Sequence, residues 1–397
     1  PDTPGSPAWV AHHRKRPLAE LRAELHPSDL FILGIEVYAS AGSVDEYRRA
    51  GDLWRTAAGK GEPRALLVLA MVVGLQSVRD AVLAELADVA AAIGSLNQSY
   101  SFSGVTGHAS SIAGSVFADV VAAAGRLEGR VIHTPVMSSE RFDARVGRKV
   151  LLKCENLQHI GAFKFRGALN TLLQLEAAAA ADPSSSRIVA THSSGNHGAA
   201  LARAARELGW RCLVVTPNDA SPVKLANITA EGATLRHCEP GLAPREAALA
   251  EIVAQTGAAV VHPFDDARVI AGQGTAALEL LSTHPNIDVI STPVGGGGLL
   301  SGTALAARGL VPSCRVIGVE PKEADDAARS FHTGIRVGMS GSPPTIADGL
   351  RGSLGVLPFE IFKRHVDDVL TVEEAAIVQA MRIALEDFRL LIEPSSA

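Results

Sequence analysis

The chain is short of cysteine, of basic charge and of long apolar runs, and each shortage removes a class of explanation. Its 397 residues include only four cysteines. Cys154, Cys212, Cys238 and Cys314 are scattered with no CxxC pair, so neither a zinc site nor a disulfide framework is indicated, and reduced thiols in a cytosol-like compartment are expected. A formal net charge of -5 leaves no basic footprint for nucleic acid. The longest apolar stretch, Ala65 to Leu75 between Arg64 and Arg79, is too short to span a bilayer and predicts a buried helix. No Gly-x-x-x-x-Gly-Lys-Ser/Thr occurs, so a nucleoside triphosphate P-loop is unsupported. The chain begins at Pro1, so a removed leader would leave no trace.

What is present describes a globular α/β protein. With 47% hydrophobic and 20% charged residues over this length, the chain has a substantial core and room for two or three domains. From about Val150, short apolar β-branched runs alternate with Ala-, Leu- and Glu-rich helical stretches, which argues for parallel α/β units. The strand candidates are 150–154, 187–191, 211–216, 258–261, 287–292 and 315–319. Residues 1–109 differ: a Pro-, His- and Arg-rich start runs into a helix-rich stretch without a motif. An accessory helical domain, a processed leader and a gene-model artefact all fit that segment.

Three segments carry chemistry. In Gly161-Ala-Phe-Lys-Phe-Arg-Gly-Ala-Leu-Asn170, Lys164 stands between two aromatics. An ammonium among apolar neighbours loses hydration, its pKa falls, and a neutral amine able to form a Schiff base with an aldehyde becomes accessible. Taken alone, the stretch also fits a lysine snorkelling from a helix start. In His192-Ser-Ser-Gly-Asn-His-Gly198, small polar residues join a strand to a helix, where backbone amides favour an anion such as a carboxylate; an ordinary capped turn is the alternative. In Pro293-Val-Gly-Gly-Gly-Gly-Leu-Leu-Ser-Gly302, four glycines can turn their N–H groups toward one phosphate. A flexible linker would not ordinarily sit between an apolar strand and a helix. The run also fails the Gly-x-Gly-x-x-Gly template at Leu300. Lysine for an aldehyde, a polar turn for a carboxylate and glycine amides for a phosphate together describe pyridoxal 5′-phosphate (PLP) holding an amino acid.

At this point the chain resembles the serine racemase and serine/threonine dehydratase group of fold-type II PLP enzymes (tryptophan synthase β-like). The resemblance runs from about Ser110 to the last residue. It is carried by Glu155-Asn-Leu-Gln, Phe163-Lys-Phe-Arg-Gly-Ala, Ser193-Ser-Gly-Asn-His-Gly, Ile270-Ala-Gly-Gln-Gly-Thr, Val294-Gly-Gly-Gly-Gly, Glu320-Pro and Ile346-Ala-Asp-Gly. Gly129-Arg-Val-Ile-His-Thr-Pro-Val136 matches the segment with which the group's catalytic region begins. The likeness implies a large PLP-binding domain over 110–187 and 266–397, a small domain over 188–265, the cofactor in the cleft between them, and a homodimer.

The same resemblance assigns roles. Lys164 would hold the cofactor and take the α-proton, with Ser194 as the acid/base on the opposite face. Phe163 would stack on the ring, Asn196 would meet the 3′-oxygen, and Gly295, Gly296, Gly297 and Gly298 with the amide of Leu299 would hold the phosphate. Ser193, Ser194, Asn196, His197 and Arg245 would bind the substrate, and Asp348 would lie nearby unless it only forms a turn. Glu320, Asp326 and the Ala324 carbonyl match a divalent cation site for Mg²⁺, or Ca²⁺ or Mn²⁺; an acidic surface turn is the alternative. Ser194 points to racemisation, since threonine dehydratases usually have alanine there. The spelling Phe264-Asp-Asp is common in dehydratases. The expected activity is interconversion of L- and D-serine with β-elimination to pyruvate and ammonia. Dehydration alone, of serine, threonine or 3-hydroxyaspartate, is the second reading. The third is a truncated, non-catalytic product that binds PLP or an amino acid, because Glu393-Pro-Ser-Ser-Ala397 looks truncated before the group's pyridine-contacting serine.

Overall fold

The computed structural model describes residues 112–397 apart from 183 and 340, together with scattered residues between 4 and 60. The chain divides into two compact units, Pro1–Thr106 and Gly107–Ala397. In the first, helices α1 (Pro7–His13) and α2 (Leu18–Glu24) are described. Arg16, just before α2, pairs with Glu20 at 3.3 Å and Glu24 at 2.7 Å, while Leu21, Leu30, Leu33 and Leu53 are buried. The apolar stretch 65–75 and most of the expected helical extension lie outside the described residues.

The second unit opens with α3 (Ile112–Leu127), β1 (Val136–Met137), α4 (Glu140–Val146) and β2 (Leu152–Lys153), then α5 (Lys164–Ala181). An alternating α/β run follows: β3 (Ile188–Thr191), α6 (Asn196–Leu208), β4 (Arg211–Pro217), α7 (Pro222–Ala230), β5 (Thr234–Cys238), α8 (Leu242–Thr256) and β6 (Ala259–Val260). After α9 (Ala267–Thr283) come β7 (Val289–Pro293), α10 (Gly298–Leu310), β8 (Arg315–Pro321), α11 (Asp326–Thr333), α12 (Val356–His365), β9 (Asp368–Val372) and α13 (Glu374–Phe388).

Two parallel sheets result, in the orders β5-β4-β3-β6 and β7-β8-β9. All four residues of β3 are buried, as expected where helices cover both faces of a parallel sheet. In the second sheet the buried positions of β8 include Val316 and Gly318, the latter so close to Leu300 that a Cβ there would come within 2.6 Å of its Cδ2. The 150–154 segment departs from the parallel pattern: its strand, β2, pairs antiparallel with β1 through Val136↔Lys153 and Met137↔Leu152.

The helices that carry the chemistry cross at glycines. A Cβ on Gly302 of α10 would lie 2.5 Å from the Gly274 nitrogen of α9, and one on Gly272 would lie 2.6 Å from the Gly167 Cα of α5. No side chain can enter these crossings, so α5, α9 and α10 pack backbone to backbone. Lys164 begins α5 and the four-glycine run begins α10, so this close packing sets the lysine and the glycine loop at one cleft.

Candidate active site

Lys164 follows a tight turn in which Ile160 (φ 61°) and Gly161 (φ 73°) both take left-handed backbone. Helical geometry then sends its neighbours elsewhere. Phe165 is fully buried in the core, edge-on to His159 with ring centroids 5.0 Å apart. The lysine is therefore not wedged between two aromatics: only Phe163 accompanies it, with Nζ 5.3 Å from the ring centroid. Nζ donates to the Pro263 carbonyl at 2.9 Å. Burial in the cleft brings the Lys164 pKa down to about 8.

Arg166, one turn face away, is fully buried. Its guanidinium is clamped between Glu155, at 2.8 Å on both carboxylate oxygens, and Glu279, at 2.6 and 3.0 Å. Burial opposes the charge, but the hydrogen bonds and field of Glu155 and then Glu279 override it and leave the pKa above its ordinary value. Lys153 also donates to Glu279, and Thr134 Oγ1 to Glu155 at 2.6 Å, so every charge in the group is answered. This network bolts the first turn of α5 to α9 and β2.

The Ser193-Ser194-Gly195 turn connects β3 to α6. The first backbone bond of α6 runs from Ala199 N to Gly195 O at 3.3 Å, so the N–H groups of Asn196, His197 and Gly198 precede it and suit an anion. A Cβ on Gly198 would come within 2.2 Å of the Ser193 carbonyl, which keeps the turn pressed onto the helix. The His197 ring is buried, with Nε2 3.2 Å from the Val261 carbonyl. That nitrogen must carry the hydrogen. Nδ1 is then a lone-pair acceptor, and it has no partner among the described residues. Burial, and then the nearby Lys164, hold the His197 pKa well below its ordinary value. Toward a carboxylate, His197 can therefore offer its backbone N–H but not a charged ring.

The glycine loop, 295–298, follows β7. Gly297 has φ 89°, and a Cβ there would meet Pro358 at 2.7 Å. One on Gly296 would sit 2.1 Å from the Phe264 ring, and one on Gly295 would lie 3.0 Å from the Leu350 Cα. Gly296 and Gly297 are thus closed to a side chain and Gly295 and Gly298 leave a Cβ only tight room, so backbone amides, with that of Leu299, are the loop's functional groups.

Phe163, Lys164, Ser193, Ser194, Asn196, His197, Arg245, the four glycines, Leu299 and Asp348 all line this one cleft. Arg245 sits in the first turn of α8, its Nε donating to Gly241 O at 2.9 Å. Asp348 is ion-paired with Lys224 of α7. Glu320, Ala324 and Asp326 gather at the C-terminal end of β8, all buried. Glu320 Oε1 accepts from Ala328 N at 2.6 Å and Asp326 Oδ2 from Leu354 N at 2.8 Å, while Glu320 Oε2 is buried without a partner among the described residues. Burial pushes the Glu320 carboxyl up to about 8 and that of Asp326 up to about 6.

Several lining groups had no role assigned from the sequence. His192 and His262 stack edge-on at 5.4 Å, and His262 Nδ1 accepts from Asp265 N at 2.9 Å. Burial, then His192, bring the His262 pKa down to about 4, so it stands neutral beside the lysine. Glu393 accepts from Asn196 Nδ2 at 2.9 Å.

The comparison with known proteins agrees with this chemistry. Residues 127–397 match the family described as pyridoxal-phosphate dependent enzyme. The chain belongs to that family. The serine racemase of Dictyostelium discoideum is 44% identical over 280 residues, spanning 70% of this chain and 85% of that protein. The beta-hydroxyaspartate dehydratase of Paracoccus denitrificans is 42% identical over 281 residues, 71% of this chain and 87% of that one. Among solved structures, maize serine racemase superposes with a TM-score of 0.67 at 42% identity, covering 70% of this chain and 83% of the other. The fold is that of the fold-type II PLP enzymes, and the residues present fit the cofactor: a lysine of lowered pKa and a glycine cradle closed to a Cβ at Gly296 and Gly297 flank the same cleft.

Proposed function

We propose that this PLP-dependent enzyme is a serine racemase, interconverting L- and D-serine, which also converts serine to pyruvate and ammonia by β-elimination. The observation that carries the reading is that Lys164 and Ser194 line one cleft with the glycine loop. When bound, PLP supplies an electron sink for the α-carbon once its proton leaves. Lys164 would attach the cofactor as a neutral amine and then remove the α-proton from one face. Ser194 would deliver a proton from the other face, which inverts the centre. A serine hydroxyl is a weak acid at neutral pH, so it needs a relay to phosphate or solvent. Gly295 to Gly298 and the Leu299 amide would hold the phosphate, Asn196 the 3′-oxygen and Phe163 the ring face. Ser193, the first-turn amides of α6 and Arg245 would bind the substrate carboxylate. Once the α-proton has gone, a β-hydroxyl can depart, so one site feeds both products.

Dehydration of 3-hydroxyaspartate, serine or threonine without racemisation is the second reading. It is favoured by Phe264-Asp265-Asp266, whose phenyl ring packs against Gly296, and by the likeness to the Paracoccus dehydratase. Incubation with PLP, Mg²⁺ and L-serine, measuring D-serine and pyruvate together, separates the two: pyruvate without D-serine removes the racemase reading.

We also propose a divalent cation, Mg²⁺ or else Ca²⁺ or Mn²⁺, on Glu320, Asp326 and the Ala324 carbonyl. The unpartnered Glu320 Oε2 and the two carboxyls pushed up by burial fit a missing positive charge. Among the described residues no cluster of three or more His, Cys, Asp or Glu forms a metal site, so carbonyl and water oxygens would complete this one. Its role would be structural, tying the end of β8 to α11. The four free cysteines fit a reducing, cytoplasmic setting, and no helix among the described residues is long and apolar enough to cross a membrane. Exposed Val378, Leu385 and Leu391 offer an apolar face for a homodimer.

A further inference from the structure

Glu393 carries none of the roles assigned above, yet its carboxylate reaches across the cleft. Asn196 Nδ2 donates to Glu393 Oε1 at 2.9 Å, joining residues 197 apart in sequence. Asn196 is the first residue of α6, on the side of the β3–β6 sheet, and Glu393 precedes the Pro394–Ser396 turn on the other side. That turn is itself held in place, because Ser395 Oγ accepts from Gly349 N at 2.8 Å. Asp348, next to Gly349, is ion-paired with Lys224, so a second link crosses the cleft beside the first. Glu393 is part-buried, and that burial raises its carboxyl pKa above the ordinary value.

A carboxamide has a donor end and an acceptor end, whereas a carboxylate only accepts. Glu393 therefore forces the Asn196 amide to turn its NH₂ group toward the carboxylate. One N–H is spent there, and the other is aimed in a fixed direction within the amide plane. Without Glu393 the amide could flip and present its oxygen instead, repelling an anionic ligand atom. We propose that Glu393 is a positioning residue that holds the Asn196 carboxamide in the orientation from which its second N–H meets the 3′-oxygen of the cofactor. The proposal rests on the reading of Asn196 as a cofactor contact.

The test is a titration of apoenzyme with pyridoxal 5′-phosphate, following visible absorbance and fluorescence, on wild type, Glu393→Ala, Asn196→Ala and the double variant. Glu393→Ala should weaken cofactor binding about tenfold and move the visible band, since a charge-assisted hydrogen bond and the amide orientation go together. The double variant should bind no more weakly than Asn196→Ala alone, because Glu393 acts through Asn196. If Glu393→Ala fails to fold, Glu393→Met, of similar length and without an acceptor oxygen, replaces it with the same expectation. An unchanged affinity and band in the Glu393 variant overturns the proposal. So does a Glu393→Ala loss that is just as large in the Asn196→Ala background, which leaves Asn196 as a cofactor contact and removes only its dependence on Glu393. An Asn196→Ala protein that binds cofactor with normal affinity and spectrum overturns both.

Discussion

The lowered pKa of Lys164 makes cofactor capture depend on pH in a way that an ordinary lysine would not. The group goes from 10.5 to about 8 because the cleft strips water from the ammonium. Only the neutral amine attacks an aldehyde, so the capture rate follows the neutral fraction. With a pKa near 8, that fraction is roughly a tenth at pH 7, half at pH 8 and nearly complete by pH 9.5; an unperturbed lysine would be about 0.03% neutral at pH 7. The logarithm of the rate should therefore rise with unit slope up to about pH 7.5 and level off above about pH 9. Stopped-flow mixing of apoenzyme with PLP across pH 6.5–10 measures this, and a lysine amide in free solution corrects for titration of the cofactor itself. A corrected rate that keeps climbing tenfold per pH unit beyond pH 9.5 would refute the burial argument. The same shift has a stability consequence of definite sign. Between the folded pKa and the unfolded one, the unfolded chain binds more protons, so apoenzyme stability should rise with pH from about 8 to 10.5. The full shift corresponds to about 3 kcal/mol, an upper bound that solvent at the cleft mouth reduces.

Ser194→Ala should separate the two reactions: cofactor spectrum and pyruvate formation persist, while D-serine formation drops by ~10²–10⁴-fold, and parallel loss of both would make Ser194 a substrate-positioning residue. Lys164→Ala should abolish both activities and the visible absorbance that marks attachment; an intact band would put the attachment elsewhere. Glu320→Ala should weaken activation by Mg²⁺, and a wild-type rate and melting temperature indifferent to EDTA would dispose of the metal site. Arg166→Met should destabilise the fold by about 3 kcal/mol in denaturant titration, because it leaves the half-buried Glu155 and Glu279 without their shared guanidinium.

Sequence alone determined much of the scaffold. Apolar β-branched runs marked β3, β4, β6, β7 and β8, of which β3 is buried throughout while the edge strands β6 and β7 are only partly covered. The cofactor chemistry was legible as well. Lys164, the Ser193 turn and the glycine loop are each local, and a strand-to-helix turn or a run without Cβ atoms has the same meaning wherever it sits. Strands β5 and β9, at the remaining two sheet edges, escaped notice because they carry polar residues and lack an unbroken apolar run: Thr234-Leu-Arg-His-Cys238 is largely exposed.

Tertiary structure decided what depends on distance in space. That Phe165 turns inward while Lys164 faces the cleft follows from the helix beginning at Lys164. That His197 stands neutral follows from its burial beside Lys164, and its tautomer from a carbonyl supplied by Val261, 64 residues on. Arg166 meets Glu279 across 113 residues, and Asn196 meets Glu393 across 197. Such pairs leave no periodicity in the chain, because a charge on one element records nothing about which distant element will cover it. The partner is chosen only when α5, α9 and α10 close on one another at their glycines and water is driven from between them.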